Sequence, residues 1–437
     1  MDFKQLFDRA IALGFEAIQA TLEYAENIDL QVFNGDLDKH QMSDTKQLTL
    51  KAIYQGKMGK FTTEVIDLSH SEAWLEALKN SSMLIESNDE VFIYEGDQAY
   101  RNVEGLYNET LTNTPIEKKM DLVFGLDKAM RDFDPRVALA NTYYSESRKK
   151  VWIQNSKGLS LVKEVNNAFL GAQLVAKTED DSRSAFDYVQ SNDMNDFDVS
   201  KLAQEIAEKG LSMLGAKSIP SGEYEIVLKN TATTGLLQAH VSMFSAESVQ
   251  KGMSKLKGKI GEQIANQMVS IVDDPFKPKS TRSGAFDDEG VATDIKALVQ
   301  EGQLKGYMHN LKTAKKDGVS STGNGFGGNV STTNFYIQPG SSEYDSMVKS
   351  MKKGLIIDDL QGTHAGTNAI SGDFSLQANG YLVEDGKIVK PVALITVAGN
   401  FLELLQDVEA IGNDLKFNFA YVGAPSLKLK KLAVSGE

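Results

Sequence analysis

Apolar residues open the chain at helical spacing: Phe3, Leu6, Phe7, Ala10 and Ile11 predict a first helix, and Gly14 can take its left-handed stop. Alternating runs follow. Asp29–Phe33 leads into Asn34-Gly35, a two-residue hairpin signal; Gln47–Tyr54 alternates, and Lys60–Val65 completes a meander. Ser69-His-Ser-Glu72 reads as a capping box opening a helix to about residue 80, and residues 86–112 read as irregular. Thr114-Pro-Ile-Glu117 opens a helix that ends near Asp134-Pro135. Val137–Tyr144, Lys150–Gln154, Leu159–Val165 and Leu170–Thr178 predict antiparallel strands, and Val199 to about Leu214 a helix.

The breaker Ile219-Pro-Ser-Gly222 marks a boundary. Beyond it come a strand at Glu223–Leu228, a helix over 232–250, then short extended runs with glycine turns. Two helices interrupt them, one capped by Ser342 and one opened by Asn400. The pattern is α+β: a helix–meander–helix region (1–112), a middle α+β region (113–220) and a mainly antiparallel β-rich region (221–437).

With 437 residues, 41% of them hydrophobic, the chain can build more than one core, and wholesale disorder is excluded. Its 46 basic and 60 acidic residues leave a net charge of −14, with no basic footprint for nucleic acid and no polybasic membrane patch. Cysteine is absent, which removes disulfides, thiolate metal sites and cysteine nucleophiles. The acidic start predicts no signal peptide, and no apolar run approaches the roughly 20 residues of a membrane span. A cytoplasmic location is the expectation.

Three places could carry chemistry. On the helix predicted over 232–250, Leu236, Leu237, His240, Met243, Phe244 and Glu247 share one side, with His240 and Glu247 two turns apart. They read either as a polar pair in a groove or as a packed histidine with Glu247 paired to Lys251. The second place, Ser321-Thr-Gly-Asn-Gly-Phe-Gly-Gly328, offers Gly323, Asn324 and Gly325 for close backbone approach, as a tight turn or as a peptide-binding edge. It lacks the Lys-Ser/Thr of a P-loop. Third, Asp273-Asp274, Asp287-Asp288-Glu289 and Asp358-Asp359 read as solvated turns or as cation ligands.

The C-terminal half resembles the TldD/PmbA family, an intracellular two-subunit metallopeptidase system once described as a modulator of DNA gyrase. The residues that carry the likeness run in order. They include Phe286-Asp-Asp-Glu-Gly290, Gly302-Gln-Leu-Lys-Gly-Tyr307, Ser321-Thr-Gly-Asn-Gly325 and Thr333-Asn-Phe-Tyr-Ile-Gln-Pro-Gly340. Ile370-Ser-Gly-Asp-Phe374, Gly380-Tyr-Leu-Val-Glu-Asp-Gly-Lys387 and Ile411-Gly-Asn-Asp414 complete the series. In that family the TldD type carries His-Glu-x-x-x-His, with two histidines that hold zinc and a glutamate that serves as general base. The matching stretch here sets His240 before Val241, where the glutamate belongs, and Ser245 where the second histidine belongs. Phe244–Gly252 is similar instead to the PmbA (TldE) type, which lacks the zinc site.

The resemblance implies a TldE-like subunit with no catalytic or metal-binding residue and no cofactor of its own, zinc being expected in a TldD-type partner. His240, Phe244, Glu247, Gly323, Asn324 and Gly325 are the candidates for a peptide-holding cavity. The implied partners are a TldD-type subunit or a second copy, and an unfolded peptide, with no nucleic acid and no membrane. A stand-alone homodimeric peptide-binding or regulatory protein is the alternative; a third reading is an independent peptidase using His240, Glu247 and His309 as ligands.

Overall fold

The structure is a computed structural model and describes residues 2–86 and 90–437. Residues 87–89, within the stretch expected to be irregular, lie outside the described residues. Helix α1 (Lys4–Ala12) is followed by strands β1 (Ala17–Phe33), β2 (Asp36–Tyr54) and β3 (Lys57–Thr63). Asn34 and Gly35 both take positive φ, 48° and 92°, the turn that matches strand twist and joins β1 to β2. The strands are far longer than the alternating runs, because polar cross-strand pairs continue the ladder from Leu48 opposite Leu22 out to Asp36 opposite Phe33.

Helix α2 (Ser71–Met83) begins later than the predicted capping box. The Asp67 carboxylate, not Ser69, accepts an N–H at 2.9 Å, from Ser69 itself. Helices α3 (Glu109–Asn113) and α4 (Ile116–Phe133) precede β4 (Val137–Asn155), β5 (Ser160–Lys177) and β6 (Ser182–Ser191), and α5 (Val199–Ser212) follows. The pairs of shorter strands expected over 137–154 and 159–178 are two unbroken ones.

All six strands form one antiparallel sheet in the order β3-β2-β1-β4-β5-β6. Even-numbered residues of β1, β2, β4 and β5, and odd-numbered ones of β3 and β6 such as Phe61 and Ala185, face the helices. Ala20, Leu22, Leu48 and Leu50 pack on Phe7, Trp74 and Leu78 of α1 and α2. At the other end Leu30, Ala140, Leu170 and Leu174 pack on Val123, Leu126, Met130 and Ile206 of α4 and α5. The odd-numbered face, carrying Thr21, Thr49, Lys51, Lys149 and Lys163, turns toward the rest of the chain.

The C-terminal half is built on β7 (Gly222–Leu228), which pairs with strands 353–361 and 427–435. Strands 373–384 and 387–400 continue the sheet, and pairing of Thr396–Ala398 with Ala433–Ser435 closes five strands into a barrel. A second six-stranded sheet runs 303–304, 296–300, 271–273, 335–337, 422–424, 416–417. Helix α6 (Asn230–His240) joins the two: Leu236 and Leu237 share one core with Ile226 and Leu355 of the barrel and Val299 and Phe335 of the sheet.

One charge is sealed between α4 and the N-terminal sheet. Lys119 Nζ lies 2.7 Å from Glu146 Oε2, both side chains are nearly inaccessible, and the Tyr144 hydroxyl donates to the same oxygen at 2.6 Å. Removing only the lysine strands a carboxylate. Lys119→Met is therefore expected to cost about 3–5 kcal/mol, with Lys119→Met/Glu146→Leu recovering most of it. Urea unfolding of the two variants measures both values.

Candidate functional site

The helix expected to run unbroken over 232–250 does not. Helix α6 ends at His240, a 3-10 turn covers Val241–Phe244, and a short helix resumes at Ala246–Gln250. The physical reason is tertiary pairing: Met308 N–H donates to the Phe244 carbonyl and Ala246 N–H to the Met308 carbonyl, both at 2.9 Å, which pulls Ser245 into an extended conformation. His240 and Glu247 are thus not two turns apart on one helix.

The His240 ring is fully buried, stacked on Phe401 at 4.5 Å between centroids with its Nδ1 2.8 Å from the Leu236 carbonyl. Burial lowers its pKa, against the opposing pull of the Leu236 and Gly372 backbone. Phe244 is equally buried, packed on Phe335 at 5.5 Å. Glu247 reaches the surface and is bound to Lys251 at 2.7 Å. His309 is buried beneath the glycine loop, whose Thr322 and Asn324 N–H groups donate to its carbonyl.

A groove of about 600 Å³ runs beside this broken helix. Gln238, Val241, Ser242, Ser245 and Glu247 line one side, and Arg282, Met308 and Asn329–Thr332 the other. It abuts a second cavity, of about 780 Å³, which is roofed by the odd-numbered face of the N-terminal sheet. Arg282 and Ser331 belong to both.

The glycine loop stands at that junction. Residues 325–326 and 329–330 form a two-stranded hairpin that joins none of the three six-stranded sheets, turning through Gly327 and Gly328 at positive φ. Its base is held by carboxylates that had read as solvated turns but are buried: Asp273 and Asp287 are at most 1% exposed. They are inside because each meets enough donors to replace water. Asp273 Oδ2 takes Asn324 Nδ2 at 2.8 Å and Lys296 Nζ at 3.0 Å, and its Oδ1 takes the Thr333 N–H at 2.7 Å and hydroxyl at 2.9 Å.

Asp287 accepts the N–H groups of Glu289, Val291 and Gly325 at 2.8–3.0 Å. Burial, and next the charge of Glu289, nevertheless push its pKa up to about 7. Gly325 has no room for a side chain, since a Cβ would overlap the Glu289 carboxylate; Gly323 has positive φ and lies against the Ala292 carbonyl. Asp358 is buried too, paired with Lys229 at 2.5 Å.

The structure therefore gathers Glu247 and the hairpin around one groove and sets His240, Phe244 and Asn324 in the packed interior. Among the described residues, no three histidine or carboxylate side chains are grouped so as to hold a metal ion. The groove offers one carboxylate, already paired, and the only histidine on α6 points into the core. These residues do not fit a zinc site. Arg282, Lys163 and Ser331 were missed from the sequence because they belong to no motif; strand alternation was the signal that could have placed Lys51, Lys149 and Lys163 together.

A helix-backed sheet roofing a barrel-centred β domain, with linked cavities between them, defines a chambered α+β protein. The chain belongs to the PmbA/TldD metallopeptidase family: the family's C-terminal domain matches residues 221–436 and its central domain residues 109–214. A metalloprotease of Archaeoglobus fulgidus is 28% identical over 410 residues, covering 91% of this chain and 92% of its own length. A Haemophilus influenzae PmbA homologue is 26% identical over 74% of this chain and 70% of its own. A Thermotoga maritima crystal structure described as a modulator of a DNA gyrase superposes with a TM-score of 0.93 at 35% identity, covering 99% of this chain and all of that one. TldE from Thermococcus kodakarensis shares the fold, with a TM-score of 0.90 at 22% identity over 99% of this chain and all of its own.

Two outcomes are expected. Asp273→Ala leaves Lys296 without its ion-pair partner and Thr333 without its acceptor, and should cost about 3–5 kcal/mol in urea unfolding. His240 has a lowered pKa in the folded protein, whereas the unfolded chain titrates near 6.5. Below that value the unfolded chain binds the proton more readily, so stability falls with pH. Between about pH 7 and pH 5 the urea midpoint of wild type should drop further than that of His240→Gln.

Proposed function

We propose that this chain is a PmbA/TldE-like subunit of an intracellular zinc metallopeptidase, contributing chamber wall and subunit interface to the proteolysis of unfolded peptides while a TldD-type partner supplies the zinc and the general base. The observation that carries the reading is the chemistry of the groove beside α6. It has the size and position of a substrate channel, yet Val241 and Ser245 face it and the neighbouring imidazole is turned away. The hairpin at 325–330 supports peptide as the ligand through its 329–330 strand, which pairs with no strand other than 325–326 and could take an extended chain as a further strand. Membership of a family whose relatives are named metalloproteases supports the reaction class. Among the described residues no helix is long and apolar enough to cross a membrane, which is compatible with a cytoplasmic location.

The test is reconstitution. The purified chain, dialysed after zinc loading, is expected to retain no stoichiometric zinc and to leave an unfolded peptide intact. Adding the TldD-type subunit from the same organism should produce a stable mixed complex and hydrolysis. Equimolar zinc held by this chain alone overturns the proposal. A chain that pairs only with itself and binds peptide without hydrolysis in either mixture overturns it in favour of a stand-alone homodimeric binding protein.

A further inference from the structure

The cavity under the N-terminal sheet has a charge opposite to that of the molecule. The chain carries −14 overall, yet five cations, Lys51, Lys60, Lys149, Lys163 and Arg282, line about 780 Å³ together with only two carboxylates, Glu23 and Asp288. Strand alternation puts the lysines there: Lys51 lies directly opposite Lys60 across β2–β3, and Val151, between Lys149 and Ile153 on the same face, pairs with Lys163. Like charges placed directly opposite each other weaken a sheet, so nothing in folding calls for the Lys51–Lys60 pair.

The carboxylates present do not neutralise the cluster. Glu23 is taken by Lys149 at 2.6 Å, and Asp288 Oδ2 accepts the Gly327 N–H at 2.8 Å. Glu289, which Lys51 feels from the side, has its Oε2 on the Leu311 N–H at 2.8 Å. Lys60 and Arg282 have no ion-pair partner among the described residues. Lys163 reaches across Gly284, where any side chain would collide with its ammonium, and finds only the Thr281 carbonyl at 3.3 Å. Burial, helped by Lys149 and Arg282 and opposed by Asp288, pushes its pKa down to about 8. Phe286 and Phe326 supply apolar wall beside the charges, and the two-stranded hairpin borders the same space.

We infer that this cavity is an anion-selecting subsite, taking the carboxylates of an acidic stretch of extended peptide while the backbone lies along the 325–330 hairpin. The inference rests on the reading of the chamber as a peptide site and adds a substrate preference to it. Arg282, shared by the cavity and the groove beside α6, is the residue that passes an acidic segment from one to the other.

Calorimetric titration of the full-length chain tests it with three probes: an eight-residue Glu/Ser peptide, its Gln/Ser counterpart and inorganic tripolyphosphate. The Glu peptide should bind at least about tenfold more tightly than the Gln peptide at low salt, and the gap should narrow in high salt as the charges are screened. Lys51→Gln/Lys60→Gln, both at accessible positions lining this cavity and not the groove beside α6, should weaken the preference severalfold while leaving the Gln peptide's affinity and the urea midpoint close to wild type. Equal binding of both peptides, unchanged in the double variant, overturns the subsite and leaves the peptide reading standing. Tripolyphosphate binding tightly, with neither peptide bound, overturns both.

Discussion

A carboxylate taken out of water must be answered by donors, and at Asp273 that requirement organises the centre of the C-terminal half. Its two oxygens collect Lys296 from the neighbouring strand, Asn324 from the glycine loop and both donors of Thr333. Loss of any one of the four leaves the buried carboxylate short of a donor in a low-dielectric interior. The glycine loop is therefore anchored at its base, and Asp288 holds the Gly327 N–H at its turn, so that the 329–330 strand is the edge left without a neighbouring strand. Asp287 repeats the device one step outward, with three backbone N–H groups in place of side chains.

The N-terminal sheet works by its two faces. One face, even-numbered on β1, β2, β4 and β5, finds four helices to bury against, so cohesion is supplied on that side. The odd-numbered face is then free to carry charge, and it is held over the C-terminal domain instead of being opened to bulk water. A face that would ordinarily be a solvated exterior becomes the ceiling of a cavity, and its lysines act on whatever enters it.

Chemistry and shape are separated in this chain. The groove beside α6 is built with the same care as a catalytic cleft, but the one imidazole on its helix is spent on packing against Phe401 and on the Leu236 carbonyl. The role proposed above accounts for that combination without requiring any side chain to serve two purposes.

The α+β class, the 34–35 hairpin, α1, α5 and the helix opened by Asn400 were legible because each is set by local chemistry: periodicity, a turn with positive φ, or a cap. The family motifs were legible as a series, and the structure sets the buried Asp287 and the close-packed Gly323 and Gly325 within them. The length of β1 and β2 was not legible, since polar residues extend a strand only when a partner strand accepts them. Nor was the break after His240, which exists because Met308 arrives from elsewhere to claim the backbone of Phe244 and Ala246. Acid clusters looked solvated for the same reason: whether a carboxylate is buried depends on donors distant in sequence. Local interactions decide which elements form; only the tertiary structure brings together the donors, the competing strands and the opposed charges that decide where those elements stop and what they enclose.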